Sequence, residues 1–249
     1  MESRWLKRFE RTSPSGVRLL CFPHAGGAAS AYLSLSGALA PDVDVRAVQY
    51  PGRQDRHREP PVESIIGLAH HIADEVVSAL GTERPYAFFG HSMGAAIAYE
   101  TARRLEEMSV PAPVRLFLSG RGRPTVVPPP SDRIVGDPAL IAEMGRLGGA
   151  GLLLEEPELL EMVMPAVRAD YLALRTYTWC PGPPLHIPFT VLVGDDDPVV
   201  TPDRAADWLE ESALPGECHV FPVGHFYLDE YADEVAAVIR KALGGVRTG

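Results

Sequence analysis

Short, almost wholly apolar runs alternate along the chain with longer stretches whose apolar residues recur at helical spacing. Residues 17–22 (VRLLCF), 43–48 (VDVRAV), 86–89 (YAFF), 114–118 (VRLFL), 189–193 (FTVLV) and 218–223 (CHVFPV) predict strands. Most of these runs are continuous rather than alternating. That is the pattern of strands covered on both faces, and therefore of a parallel sheet. Residues 29–39, 62–80, 93–108, 202–212 and 226–243 predict the intervening helices. Strand followed by helix, repeated, makes an open α/β sheet with right-handed crossovers and helices on both faces.

The alternation stops after Ser119. Residues 120–132 (GRGRPTVVPPPSD) are too rich in proline for a helix or a central strand. Two helical patterns follow, at 137–147 and 155–178, and a second Pro-rich stretch, 180–188 (CPGPPLHIP), leads back to a strand. Residues 121–187 therefore read as a helical insertion on a core formed by 1–120 and 188–249. The run 147–151 (LGGAG) inside it reads either as a hinge or as a plain interhelical turn.

Composition narrows the functional classes. The 249 residues suit one large domain with an insertion, and 46% hydrophobic with 22% charged residues is globular rather than disordered. Lys and Arg number 23 against 33 Asp and Glu, a formal charge of −10. That balance argues against a nucleic-acid partner, whose phosphates would need neutralising. No stretch of about 18 apolar residues predicts a membrane span. Residues 1–11 are charged throughout and lack the apolar core of a secretory signal, so a cytoplasmic protein is expected. The three cysteines, Cys21, Cys180 and Cys218, form no CxxC and are odd in number. They read as reduced, mostly buried thiols rather than a disulfide framework or a zinc site.

The strongest chemical signal is Gly90-His91-Ser92-Met93-Gly94, a G-x-S-x-G between a strand and a good helix former. Small residues at 90 and 94 let strand and helix approach, and the sharp turn exposes the Ser92 hydroxyl above a helix N-terminus. A serine hydroxyl is a weak nucleophile and needs a base. Of the eight histidines, His225 follows the last strand in a loop, where an open α/β sheet places its site. His70 and His71 fall mid-helix, His219 lies in a strand, His57 and His186 lie in loops, and His91 should point away from the Ser92 hydroxyl. The base needs a carboxylate to fix its tautomer. Among the three acids of Gly194-Asp195-Asp196-Asp197-Pro198, Asp197 is selected by the extended bias of a residue before proline. The order Ser92, Asp197, His225 is that of the α/β-hydrolase triad. An oxyanion hole would draw on the N–H of Met93 and on that of Ala25, in the Gly-rich loop after the first strand.

Together, FPHAGG (22–27), YPGR (50–53), FFGHSMGA (88–95), GDDDP (194–198) and GHFY (224–227) resemble the type II thioesterases of polyketide and nonribosomal peptide biosynthesis. The resemblance runs in order over about residues 17–240. It implies an α/β-hydrolase fold: a mostly parallel central sheet, helices on both faces and a helical lid insertion, matched here by the stretch holding Arg168, Asp170 and Tyr171. It also implies a stand-alone hydrolase that clears aberrant or stalled acyl groups from the phosphopantetheine arm of an acyl carrier protein or peptidyl carrier domain. No metal or cofactor of its own is expected, because the pantetheine belongs to the substrate. The residues alone give a serine hydrolase. A carboxylester hydrolase, a cyclising thioesterase and a non-catalytic carrier-binding module remain as alternatives. Met144, Leu147, Leu152, Leu153, Leu154, Met162 and Met164 would line an acyl site or simply pack the lid helices. Arg53, Arg56, Arg58, Arg121 and Arg123 would meet an acidic carrier or remain solvated.

Overall fold

The structure, a computed structural model, describes residues 3–10, 12, 16–126, 129–148 and 156–245. Seven strands form one sheet: β1 (Leu6–Lys7), β2 (Val17–Phe22), β3 (Val43–Val48), β4 (Tyr86–His91), β5 (Leu116–Ser119), β6 (Phe189–Gly194) and β7 (Glu217–Phe221). Their order is β1-β3-β2-β4-β5-β6-β7. All neighbours pair parallel except β1, which lies antiparallel on β3. β2, β4, β5 and β6 are buried along their whole length, which explains their continuous apolar runs.

Side chains alternate between two apolar layers. Leu20, Phe22, Phe88, Leu116 and Val191 face the layer shared with α2 (Ile65–Glu75) and α3 (Met93–Glu107). Leu19, Cys21, Phe89, Phe117 and Leu192 face the layer shared with α1 (Leu33–Leu39) and α7 (Ala232–Leu243). Both layers are dry, so the strands are fixed in register from both sides.

The chain runs from β2 to β3 and then back across β2 to β4, so the direction of strand addition reverses between β2 and β4. That switch opens a crevice beyond their carboxyl ends, the ordinary ligand position of an open α/β sheet. Phe22 pairs with Gly90 there, placing the loop after β2 beside the turn after β4.

Between β5 and β6 lie α4 (Asp137–Leu147) and α5 (Pro157–Thr176). They pack on each other through Leu140, Met164, Val167 and Tyr171. Ala173 and Leu174 at the end of α5, and Tyr177 beyond it, enter the main core. The expected LGGAG hinge falls largely outside the described residues, as do Leu152, Leu153 and Leu154.

Several boundaries differ from expectation. The last strand stops at Phe221 because Pro222 has no N–H to continue the ladder. The last helix starts at Ala232, not 226: Tyr227 and Leu228 turn into the core instead. Residues 202–212 divide into α6 (Pro202–Ala206) and a 3₁₀ turn, Asp207–Glu211. Residues 29–39 begin with the 3₁₀ turn Ala29–Tyr32, and the end of 62–80 widens into the π turn Val76–Leu80. Cys21 is buried and Cys218 half-buried, but Cys180 is exposed, and all three are free thiols. No helix among the described residues is long and apolar enough to cross a membrane.

Candidate active site

Ser92 is the residue between β4 and α3, with φ 54° and ψ −118°. A non-glycine residue in this region costs about 1–3 kcal/mol and persists only where its surroundings enforce it. Here Ser92 N donates to Ser119 O at 2.8 Å, and Ala95 N donates to Ser92 O at 3.0 Å. Gly94 permits the turn's close approach to β2, since a Cβ there would lie 1.9 Å from Phe22 O. Met93 begins α3, and its N–H has no acceptor within the helix.

The loops after β6 and β7 supply an imidazole and a carboxylate. His225 Nδ1 lies 2.8 Å from Asp197 Oδ2, and both side chains are fully buried. The other carboxylate oxygen of Asp197 accepts from Val199 N at 2.8 Å, which fixes its rotamer. A carboxylate on Nδ1 requires the proton at that nitrogen, leaving the Nε2 lone pair free. Nε2 is buried without a protein hydrogen-bond partner. His225 and Ser92 line the same small pocket of about 30 Å³, together with Ala25, Leu147, Tyr171 and Phe226. Asp195 and Asp196 are exposed, so Asp197 alone among the three acids turns inward. The two loops touch because residue 194 has no side chain: a Cβ would meet Val223 O at 2.2 Å.

The loop after β2 closes the other side. Gly27 N donates to His24 O at 3.0 Å, and Gly26 N donates to Asp170 Oδ2 at 2.7 Å. Ala25 N–H is thus left without an internal acceptor among the described residues, in a residue that lines the pocket with Ser92. Ala25, the adjacent pair Ser92 and Met93, Asp197 and His225, from four distant segments of the sequence, are brought to one end of the sheet.

Residues 17–243 match the family described as "Thioesterase domain". The chain belongs to the thioesterase family. It is 44% identical over 243 residues to a probable cadicidin biosynthesis thioesterase of Streptomyces griseus, covering 97% of this chain but 66% of that protein, just under two thirds. It is 42% identical to the thioesterase PikA5 of Streptomyces venezuelae, covering 93% of this chain and 82% of that one. The solved structure of the type II thioesterase BorB, from the borrelidin biosynthetic cluster, superposes with a TM-score of 0.88 at 41% identity. That match covers 98% of this chain and 99% of BorB. The resemblance to type II thioesterases and the α/β-hydrolase fold therefore both stand, and this thioesterase is a serine-type thioester hydrolase by family.

Two further histidines, His91 and His24, lie near the His225 ring. His91 lies 5.0 Å from it between ring centroids, and its Nδ1 meets Ser119 Oγ at 2.8 Å. Ser119 Oγ in turn meets Tyr227 OH at 2.6 Å. His24 stacks edge-on with Phe226 at 4.7 Å and lines the pocket. Burial, reinforced by the charges of His225 and Arg53, pulls the His24 pKa down to about 3. Burial and the same His225 charge hold His91 well below the ordinary histidine range. Both rings are neutral at working pH. His24 was legible only as a member of FPHAGG, whose glycines drew the attention.

The arginines of this thioesterase do not form the expected outward patch. Arg53 is 6% exposed and forms a two-pronged ion pair with Asp170, at 2.8 Å on each arm. Burial alone would lower its pKa, but Asp170 outweighs that and raises it. Arg56 is buried on Trp5 and paired with Glu59. Arg121 is buried against Asp132 at 2.6 Å, beside the pocket. Arg123 pairs with Glu210 and Glu211. Of the five, Arg58 alone is exposed. The residues expected either to line an acyl site or to pack the helices divide. Leu147 reaches the pocket, Met144 and Met164 pack between α4 and α5, and Met162 is 63% exposed. Tyr171 and Leu174 of α5, with Val199 and Phe226, take the lining role. Among the described residues, no group of three or more His, Cys, Asp or Glu side chains is placed to hold a metal ion.

Proposed function

We propose that this thioesterase cleaves acyl thioesters from the phosphopantetheine arm of an acyl carrier protein or peptidyl carrier domain, releasing aberrant or stalled acyl groups in the cytoplasm. Ser92 is the nucleophile, His225 the base and Asp197 the residue that orients it. The observation that carries this reading is the 2.8 Å His225–Asp197 contact, with the far ring nitrogen unpaired and His225 lining the same pocket as Ser92.

The steps follow from those positions. His225 Nε2 takes the Ser92 proton as Oγ attacks the thioester carbonyl, and Asp197 stabilises the imidazolium that forms. The oxyanion is held by the N–H groups of Met93 and Ala25, each such donor being worth about 10²–10³-fold in rate. The protonated ring gives its proton to the departing thiolate sulfur as the C–S bond breaks, so that the arm leaves as a free thiol. Water, deprotonated by the same ring, then releases the acid and regenerates Ser92. The protein brings no cofactor to these steps. A cavity of about 260 Å³ that shares Arg121, Ser131, Asp132 and Val199 with the pocket offers room beside Ser92 for the acyl group or the arm.

A fluorophosphonate should label Ser92, and Ser92→Ala should abolish both the label and turnover of an acyl-carrier substrate. A labelled Ser92→Ala variant would remove the nucleophile assignment. Faster cleavage of a matched oxygen ester than of the thioester would make the protein an esterase, and lactone release would make it a cyclase.

A further inference from the structure

We propose that the buried Arg53–Asp170 ion pair is a positioning device for the oxyanion hole, and that it makes the geometry of the hole depend on α5. The inference rests on the assignment of Ala25 N–H as an oxyanion donor. Asp170, at 0% exposure on α5, lies 144 residues from the loop it controls, and no catalytic step needs it.

The pair holds the loop backbone immediately after the donor. Asp170 Oδ2 accepts from Gly26 N at 2.7 Å, and Arg53 Nη1 donates to Gly27 O at 2.9 Å. The same Arg53 nitrogen bonds Asp170 Oδ2 at 2.8 Å, so carboxylate, guanidinium and two loop peptides form one closed network. Gly26 has φ +75°, and Val167, one turn before Asp170 on α5, would sit 3.0 Å from a Cβ there. The loop is therefore pressed against α5 as well as bonded to it. Behind Arg53, Gln49 Nε2 donates to Arg53 O at 3.1 Å while Gln49 Oε1 accepts from Ala29 N at 2.9 Å. Tyr50 OH donates to Pro23 O at 3.2 Å. Side chains at 49, 50, 53 and 170 together fix the backbone from Pro23 to Ala29.

The consequence concerns peptide orientation. The turn carries three N–H groups at 25, 26 and 27, and the hole works only if the one at 25 faces the reacting carbonyl. Asp170 occupies the Gly26 N–H, and Arg53 occupies the Gly27 carbonyl. Without them the glycines let the peptide planes rotate, since neither residue has a side chain to oppose it. A donor that must be reoriented during the reaction stabilises the transition state less than one held in place. Docking of α5 and assembly of the hole are then one event.

The test is the double variant Arg53→Met/Asp170→Leu, which removes both charges and leaves neither one buried alone. The conservative single variant Asp170→Asn keeps the shape if the double variant fails to fold. Each is assayed on a small acyl N-acetylcysteamine thioester, and Ser92 labelling by a fluorophosphonate is timed. The expected result is a fall of about tenfold or more in kcat, below the full loss of a donor, with KM nearly unchanged. Labelling should slow in step, because the phosphoryl oxygen uses the same hole. The midpoint of the pH–rate profile should stay where it is. A folded variant with kcat within about threefold of the parent overturns the proposal. So does a loss confined to KM, or one accompanied by a shifted pH midpoint, which would mean general damage. Failure of the serine-hydrolase reading itself reads differently, because the parent enzyme would then not label at Ser92.

Discussion

Ser92 and His24 show how single side chains at this site are set by what surrounds them. Ser92 is held at φ 54° by a bond to β5 and by the start of α3. The sequence announced this strain, because G-x-S-x-G after an apolar run has one structural solution. His24 was not announced, because its state depends on burial against Phe226 and on the charges of His225 and Arg53. That state makes a measurable prediction. In the unfolded chain His24 titrates near 6.5, and in the folded protein near 3. Between those values the unfolded state binds the proton and the folded state does not, so stability falls as the pH falls. The slope for one such group is at most about 1.4 kcal/mol per pH unit. His24→Asn should flatten acid destabilisation between pH 6.5 and 3 by an amount approaching that slope, read from urea unfolding at a series of pH values. An unchanged slope would mean that His24 protonates freely in the fold.

The elements carry the catalytic groups by approaching more closely than side chains would allow. α3 rests on the end of β2 only because residue 94 is glycine, and the β6 and β7 loops meet only because residue 194 is glycine. The first was legible as a motif. The second was read only as the start of an acidic loop. Gly94→Ala would place a methyl 1.9 Å from Phe22 O and 2.8 Å from Pro23 O. These are backbone atoms at the root of the loop that holds Ala25, so they cannot turn aside. The variant should lose about 3 kcal/mol of stability or more, and the surviving folded fraction should be nearly inactive. Chemical denaturation and turnover measured on the same preparation check both effects. Central strands were readable because burial on both faces writes itself as a continuous apolar run. β1 was not, because two residues on an edge carry no such pattern. The early start assigned to the last helix failed for a related reason. Tyr227 and Leu228 look helical by hydrophobicity, yet they serve the turn that sets His225 against Asp197.

At the scale of the molecule, every proposed catalytic group lies at the carboxyl end of the sheet, in the loops after β2, β4, β6 and β7, and the repeated strand–helix pattern was sufficient to expect that end. The outer surface was less legible. Whether an arginine faces water depends on acids distant in sequence, and Arg53 and Arg121 find theirs at Asp170 and Asp132. With those cations buried and paired, nothing offsets the net charge of −10 at long range. A carrier of the acidic kind expected for such an enzyme therefore approaches against repulsion. Repulsion between like-charged partners reaches about 30 Å at 0.01 M salt and about 8 Å at 0.15 M. Raising the salt across that range should increase kcat/KM for a carrier-bound acyl group by about twofold or more, through faster association. The same change should leave a small uncharged thioester unaffected, because its encounter has no long-range electrostatic component. A fall in kcat/KM with salt for the carrier-bound substrate alone would instead mean that exposed cations such as Arg58 steer docking. Charge reversal at Arg58 should then reproduce the loss at low salt.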